Sequence, residues 1–172
     1  LWLQSFHPED IELWLREFPA YGRRALWLDG RYTQAGFDHR DLAQLAPVFE
    51  DLVRRGLRWL GPPLWMLVED RDGAIVPSDY ARAARDAGLG IMTWTLERSG
   101  PLTGGGGWYY QTLNGQNRGP RAGPGLISRD SDMLRLLDVL VRDVGVHGVF
   151  SDWPATVADY ARRTDWQLPP EP

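Results

Sequence analysis

Along the chain, short apolar runs alternate with longer amphipathic stretches. Leu1 to Phe6 is short, apolar and aromatic, the pattern of a buried strand. Pro8 then suits a first helical turn, and Glu9, Asp10 and Glu12 suit the positive end of a helix dipole. Ile11, Trp14, Leu15 and Phe18 fall on one face, and Pro19 and Gly22 end the predicted helix. A second strand is predicted over Arg24 to Asp29, centred on Ala25-Leu26-Trp27-Leu28. Asp38 is the predicted cap of a helix over Leu42 to Arg55, with Leu42, Leu45, Phe49, Leu52 and Val53 as its apolar positions and Gly56 as its stop. Leu57 to Leu60 reads as a brief strand cut off by Gly61-Pro62-Pro63, and Leu64 to Val68 fits strand or helix equally. Ser78 opens a helix that runs through Ala87 and closes at Gly88, and Leu89 to Leu96 follows as a strand. Asp130 is the predicted cap of a helix through Arg142, Val146 to Ser151 is the last strand, and Pro154 starts a helix to about Arg163.

Strand and helix thus alternate five times, which argues for a parallel sheet with crossover helices. Two architectures fit: a small open, doubly wound sheet, or five-eighths of a (β/α)8 barrel. A complete barrel takes roughly 250 residues, so length favours the open sheet. One long segment, Ser99 to Arg129, has no periodicity. It contains Gly104-Gly105-Gly106-Gly107 and then Trp108-Tyr109-Tyr110. A loop of that length leaving the C-terminal end of a strand suits a wall or lid over a site, the alternative being a passive insertion.

Composition narrows the field. At 43% hydrophobic and 24% charged the chain is globular in type, and nine tryptophans in 172 residues supply aromatic surface for a core or for an organic ligand. There is no cysteine, which excludes disulfides and thiolate metal sites. All 19 basic residues are arginine, which excludes a Schiff-base or phosphate-loop lysine in this chain. A net charge of −4 argues against general nucleic-acid binding, and no apolar run reaches the length of a membrane span.

Few residues form a recognisable chemical constellation. His7, His39 and His147 are far apart: His7 follows a strand end, His39 reads as solvated at a helix start, and His147 reads as a satisfied core histidine. Ser5, Ser128 and Ser151 lack a nucleophile elbow. Glu69, Asp70 and Asp72 read as a solvated turn, with a metal site as the alternative. The glycine run lacks the ending of a phosphate loop and reads as a hinge. Glu97 and Asp152 each end a strand; Asp152 suits a helix cap or a pocket equally. Arg98 offers a planar fork for phosphate or carboxylate, with a plain salt bridge as the alternative. Trp94 shares a predicted strand face with Met92 and Leu96, where it either walls a barrel mouth or packs in a core.

Taken in order, several segments resemble the C-terminal part of the glycerophosphodiester phosphodiesterases. They are Leu3-Gln4-Ser5-Phe6, Ala83 to Leu89, Ile91-Met92-Thr93-Trp94-Thr95-Leu96-Glu97, and Gly145-Val146-His147-Gly148-Val149-Phe150-Ser151-Asp152-Trp153-Pro154. Trp94 to Leu102 and Gly105 to Gln111 look like a long-loop branch of that family, and His147 stands where the family more often has Asp. The resemblance implies a phospholipase-C-like (β/α)8 TIM barrel. Residues 1–172 would supply about its last five strands, with a Gly-rich insertion at 99–129. It also implies hydrolysis of a glycerophosphodiester to glycerol 3-phosphate and an alcohol, dependent on a divalent cation (Ca or Mg).

The family's His-Arg-Gly, Glu-x-Asp and Glu-x-Lys motifs all precede its Ser-Phe strand, and none occurs here. The resemblance therefore assigns this chain no catalytic and no metal-binding residue. It assigns substrate-binding roles to Phe6 and Trp94; Arg98 is expected to meet a phosphate or to shape the loop, and loop position alone assigns Trp108, Tyr109 and Tyr110 to a lid. The chain alone is expected to be inactive, and to pair with a preceding portion of the barrel or to self-associate through its strand edges. A non-catalytic barrel relative or interaction module is the alternative, and a sugar-directed barrel hydrolase using Glu97 and Asp152 is a third reading. Long-loop relatives point towards a periplasmic or secreted location.

Overall fold

The computed structural model describes residues 1–97, 107–113 and 125–172. In chain order its elements are β1 (Gln4–Ser5), α1 (Pro8–Glu17), α2 (Pro19–Gly22), β2 (Leu26–Leu28), α3 (Leu42–Arg54) and β3 (Trp59–Gly61). They continue with β4 (Val68–Arg71), β5 (Ala74–Pro77), α4 (Asp79–Asp86), β6 (Gly90–Thr93), α5 (Asp132–Val139), β7 (Gly148–Val149) and α6 (Pro154–Thr164). Five strands form one parallel sheet in the order β1-β2-β3-β6-β7. Each crossover adds its strand to the same growing edge.

The register assigns the two faces. Leu26, Trp59 and Gly90 lie in one row across β2, β3 and β6, and Trp27, Leu60 and Ile91 lie in the next. Successive strand residues point to opposite sides, so these rows face opposite ways. Trp27, Leu60 and Ile91 pack in one buried cluster with Ile11 of α1, Leu45 and Phe49 of α3, Ala84 of α4 and Leu136 of α5. Each such aliphatic or aromatic side chain taken from water contributes about 1.5–3 kcal/mol. Leu26 and Trp59 are also buried but lie outside that cluster. Against Trp59 sit Trp2, edge-on at 4.8 Å, and His147 at 5.0 Å. Gly90 is required by this packing: a Cβ there would lie 2.6 Å from the Trp59 ring and 2.9 Å from Pro172.

Several predicted details change. Asp38 does not cap α3. The helix starts at Leu42, so Asp41 is in the capping position and accepts from Ala43 N at 3.0 Å. Asp38 instead takes the backbone and side chain of Arg40. Ser131, not Asp130, is the cap residue of α5, and the Asp132 carboxylate holds the preceding turn through Ser128 N and Arg129 N. A π-turn over Leu140–Val144 continues α5 to Gly145, which is left-handed at φ 74°. The first helix does end before Pro19, but Pro19 to Gly22 then forms a further short helix, α2.

The turn at Glu69 to Gly73 belongs to an antiparallel hairpin, β4–β5. Asp72 and Gly73 both have positive φ, 55° and 85°, as a tight hairpin turn requires. Leu64–Met66, ambiguous in sequence, is a 3-10 turn leading into β4. Regular strand in β6 ends at Thr93, short of the predicted Leu96. Its neighbour β3 runs into Pro62 and Pro63, which have no N–H to offer, and only a bridge at Pro63–Trp94 continues the pairing. The face shared by Met92 and Trp94 therefore does not extend to Leu96, which is buried with Leu137 and Tyr160 in a separate cluster.

Candidate functional site

At the C-terminal ends of the strands the chain gathers aromatic rings. Phe6 follows β1, Tyr32 lies in the 3-10 turn after β2, Trp65 in the one after β3, and Trp94 follows β6. Trp108 and Tyr109 come from the described part of the long loop. Phe6 meets Trp94 edge-on at 6.2 Å, and Trp108 lies beside Trp94 at 6.0 Å with the two planes within 24°. Tyr32 reaches Trp108 at 5.0 Å and Trp94 at 6.2 Å, and Tyr109 reaches the same two at 5.0 and 6.0 Å. Trp65 lies beneath, 5.6 Å from Trp108 and 4.9 Å from His39. The structure thus brings together Phe6, Trp94 and Trp108, three of the substrate-binding residues proposed from sequence. Arg98, the fourth, and Gly104 to Gly106 of the predicted hinge lie outside the described residues.

Local bonding fixes these rings. The Trp94 indole donates to the Gly61 carbonyl at 2.8 Å, and Trp94 O accepts from Leu64 N at 2.9 Å, so the ring is tied to the end of β3. Segment 107–113 is anchored by buried Tyr110 and Leu113, and Thr112 Oγ1 donates to Trp65 O at 3.0 Å.

Tyr32 is held by a buried polar network. The fully buried Asp29 carboxylate accepts from Arg31 Nε and Nη2 at 2.9 and 2.7 Å, from Arg31 N at 3.0 Å and from Tyr80 Oη at 2.6 Å. The Arg31 guanidinium also lies against the rings of Trp27, Phe37 and Phe49. Burial alone lowers the Arg31 pKa, but the hydrogen bonds and charge of Asp29 outweigh it and hold Arg31 above its ordinary value. Burial, then the Asp29 charge, raises the Tyr80 phenol well above its usual range. Tyr32 is raised by burial and by the neighbouring Tyr109 and Asp29.

The histidines separate clearly. The His39 side chain is only 14% exposed, not solvated as its sequence position implies. Burial drives its pKa down to about 4 against a smaller opposing pull from Asp38, so the imidazole is neutral at pH 7. His147 is hydrogen-bonded as expected but half-buried just ahead of β7 and not in the core: Nδ1 accepts from Ile91 N at 3.4 Å and Nε2 donates to Pro170 O at 2.8 Å. His7 is exposed and lines a cleft of about 760 Å3 between α1 and α3, which Phe6 and Tyr32 also border.

Of the two strand-end carboxylates, only Glu97 is bonded across the fold through its side chain among the described residues. Glu97 accepts from Ser151 Oγ at 2.8 Å and from Asp152 N at 3.1 Å, clasping the loops after β6 and β7 together. Asp152 is exposed and does not cap α6, whose cap residue is Trp153. Among the described residues, no group of three or more His, Asp or Glu side chains is arranged to hold a metal ion. None of their helices is long and apolar enough to cross a membrane.

Sequence reading missed Tyr32, Trp65 and His39. Their signal is weak: Tyr32 and Trp65 lie a few residues past a strand and His39 in the connection before α3, where no periodicity marks a side chain. No family model matches the sequence. The chain is similar to a protein of Arthroderma benhamiae named "Extracellular protein", with 41% identity over 165 residues covering 94% of this chain. The chain spans 62% of that relative's length.

Proposed function

We propose that this chain is the substrate-side part of a glycerophosphodiester phosphodiesterase and forms five strands of a phospholipase-C-like (β/α)8 barrel. The observation that carries the reading is the meeting of Phe6, Trp94 and Trp108 at the strands' C-terminal ends, where barrel enzymes bind substrate. The sheet supports the barrel. Its strand order never reverses, whereas a doubly wound sheet reverses at its ligand crevice, and its main buried cluster joins helices to one face. The aligned 165 residues are 62% of the relative, a length near the roughly 250 residues of a complete barrel. That relative's printed name supports a secreted location.

In this reading the aromatic wall packs against the alcohol or glycerol part of the diester, and Arg98 meets its phosphate. A divalent cation supplies charge neutralisation at the phosphoryl group. The resemblance puts the cation's ligands on motifs that precede the Ser-Phe strand, so the reading assigns them to polypeptide outside this chain.

The test is release of glycerol 3-phosphate from a panel of glycerophosphodiesters, by this chain and by the natural polypeptide extended before Leu1. The extended protein is expected to turn over, this chain is not, and Trp108→Ala in the extended protein is expected to raise KM about tenfold. An inactive extended protein would overturn the enzyme reading in favour of a non-catalytic barrel. Turnover by this chain alone would overturn the division of labour.

A further inference from the structure

We propose that the strand-end rings form an open platform for a cyclic polyol or sugar ring, the alcohol part of the diester, and not a cage for a quaternary ammonium group. The inference rests on the reading of this cluster as the substrate wall and specifies what the wall accepts. Spacing decides between platform and cage. Carbon atoms in contact lie about 3.5–4.0 Å apart, so two rings enclosing a trimethylammonium group must face each other across on the order of 8 Å. Here every ring pair that includes Trp94 or Trp108 has centroids only 5.0 to 6.2 Å apart, so neither tryptophan leaves a gap of that width towards the other or towards Tyr32 or Tyr109. Ring surface is left on the outside: Phe6 is 49% and Trp108 41% exposed. A sugar or cyclitol presents a face of C–H bonds, weakly positive at hydrogen, that matches the negative face of such a surface.

The polar groups agree. Among the described residues, the Tyr32 and Tyr109 hydroxyls have no hydrogen-bond partner, and both rings flank Trp108 at 5.0 Å. A phenol both donates and accepts, as polyol hydroxyls do, whereas a trimethylammonium group offers no N–H or O–H donor and no acceptor. Two carboxylates close to Tyr32 and Trp65 are paired: Asp29 with Arg31 and Tyr80, and Asp38 with Arg40. No unpaired negative charge on either is left to balance a cation.

The experiment titrates the 172-residue chain with myo-inositol and with choline chloride, then with glycerophosphoinositol and glycerophosphocholine, read by saturation-transfer NMR and tryptophan fluorescence. Expected are saturable binding of inositol and at least tenfold weaker binding of choline. Trp108→Ala should weaken inositol about tenfold. Tyr32→Phe, which keeps the ring and its packing, should weaken it roughly threefold to tenfold without affecting choline. Binding of the inositol ring both free and esterified supports recognition of the ring itself, and binding of the ester alone supports recognition of the ring as part of the diester. Equal affinity for choline, or no effect of Tyr32→Phe on inositol binding, overturns the proposal. Binding of glycerophosphocholine with no inositol compound bound overturns the platform but leaves the substrate wall standing. If no diester binds, both readings fall.

Discussion

Tryptophan sits at both ends of the parallel sheet, and the two ends are finished differently. At the N-terminal end, Trp59 takes Trp2 and His147 edge-on, its indole donates to Arg23 O at 3.1 Å, and Pro172 closes over the neighbouring Gly90. His147 is itself bonded to Pro170 O. At the C-terminal end the Trp94 indole is equally satisfied, but Trp108 is 41% exposed and, among the described residues, the two phenols beside it have no hydrogen-bond partner. The same residue type is therefore saturated by its own chain at one end and left available at the other. Availability distinguishes a recognition surface from a core, and a count of tryptophans does not.

The largest effect is expected from breaking the support of the open end. Asp29→Ala leaves the Arg31 charge buried without its partner and should cost about 3–5 kcal/mol in urea unfolding. A loss below about 1 kcal/mol would show that the turn carrying Tyr32 is not held by this network.

His39 gives the next effect, through pH. Its folded pKa of about 4 lies below the ordinary 6.5, so between these values the unfolded chain takes up a proton that the folded chain refuses. The stability involved is fully present above pH 6.5 and is lost as pH falls towards 4. It amounts to about 3 kcal/mol at most. His39→Gln should flatten the stability profile over that window, and parallel profiles for the two proteins would refute the assignment.

The smallest effects sharpen the contrast between the ends. Gly90→Ala pushes a methyl group into Trp59 and Pro172 and should cost about 1–3 kcal/mol while leaving ligand binding at the other end unchanged. Trp108→Ala should do the reverse, with a stability change within about 1 kcal/mol and a clear loss of binding. Equal destabilisation by both would mean that Trp108 is core after all.

The strands and helices were legible because local signals suffice for them. Ser78 caps α4 through Ala81 N, Gly88 follows it at φ 82°, and Pro154 opens α6. The cap of α3 was legible but misplaced: the predicted start at Leu42 puts Asp41 in the capping position, and Asp38 lies too far ahead of it. The hairpin was overlooked although Asp72-Gly73 is a strong turn signal, because its strands are short and β4 is mostly charged. At the site, Phe6 and Trp94 were readable through the family resemblance as residues at matching strand ends, although both were predicted within strands and both lie just past them. The contacts of Tyr32, Trp65 and His39 depend on how separate strands and turns are brought together, which no local pattern encodes.

The Glu97 clasp bears on how mutants of such a protein are interpreted. An acidic residue at a strand end in an α/β protein is among the first a mutagenesis survey would replace. Replacing Glu97 would release Ser151 and Asp152 together, and Ser151 Oγ in turn receives Trp153 N at 3.1 Å at the entrance to α6. A survey scoring turnover alone would credit Glu97 with chemistry. Melting curves recorded on the same variants would return it to the scaffold.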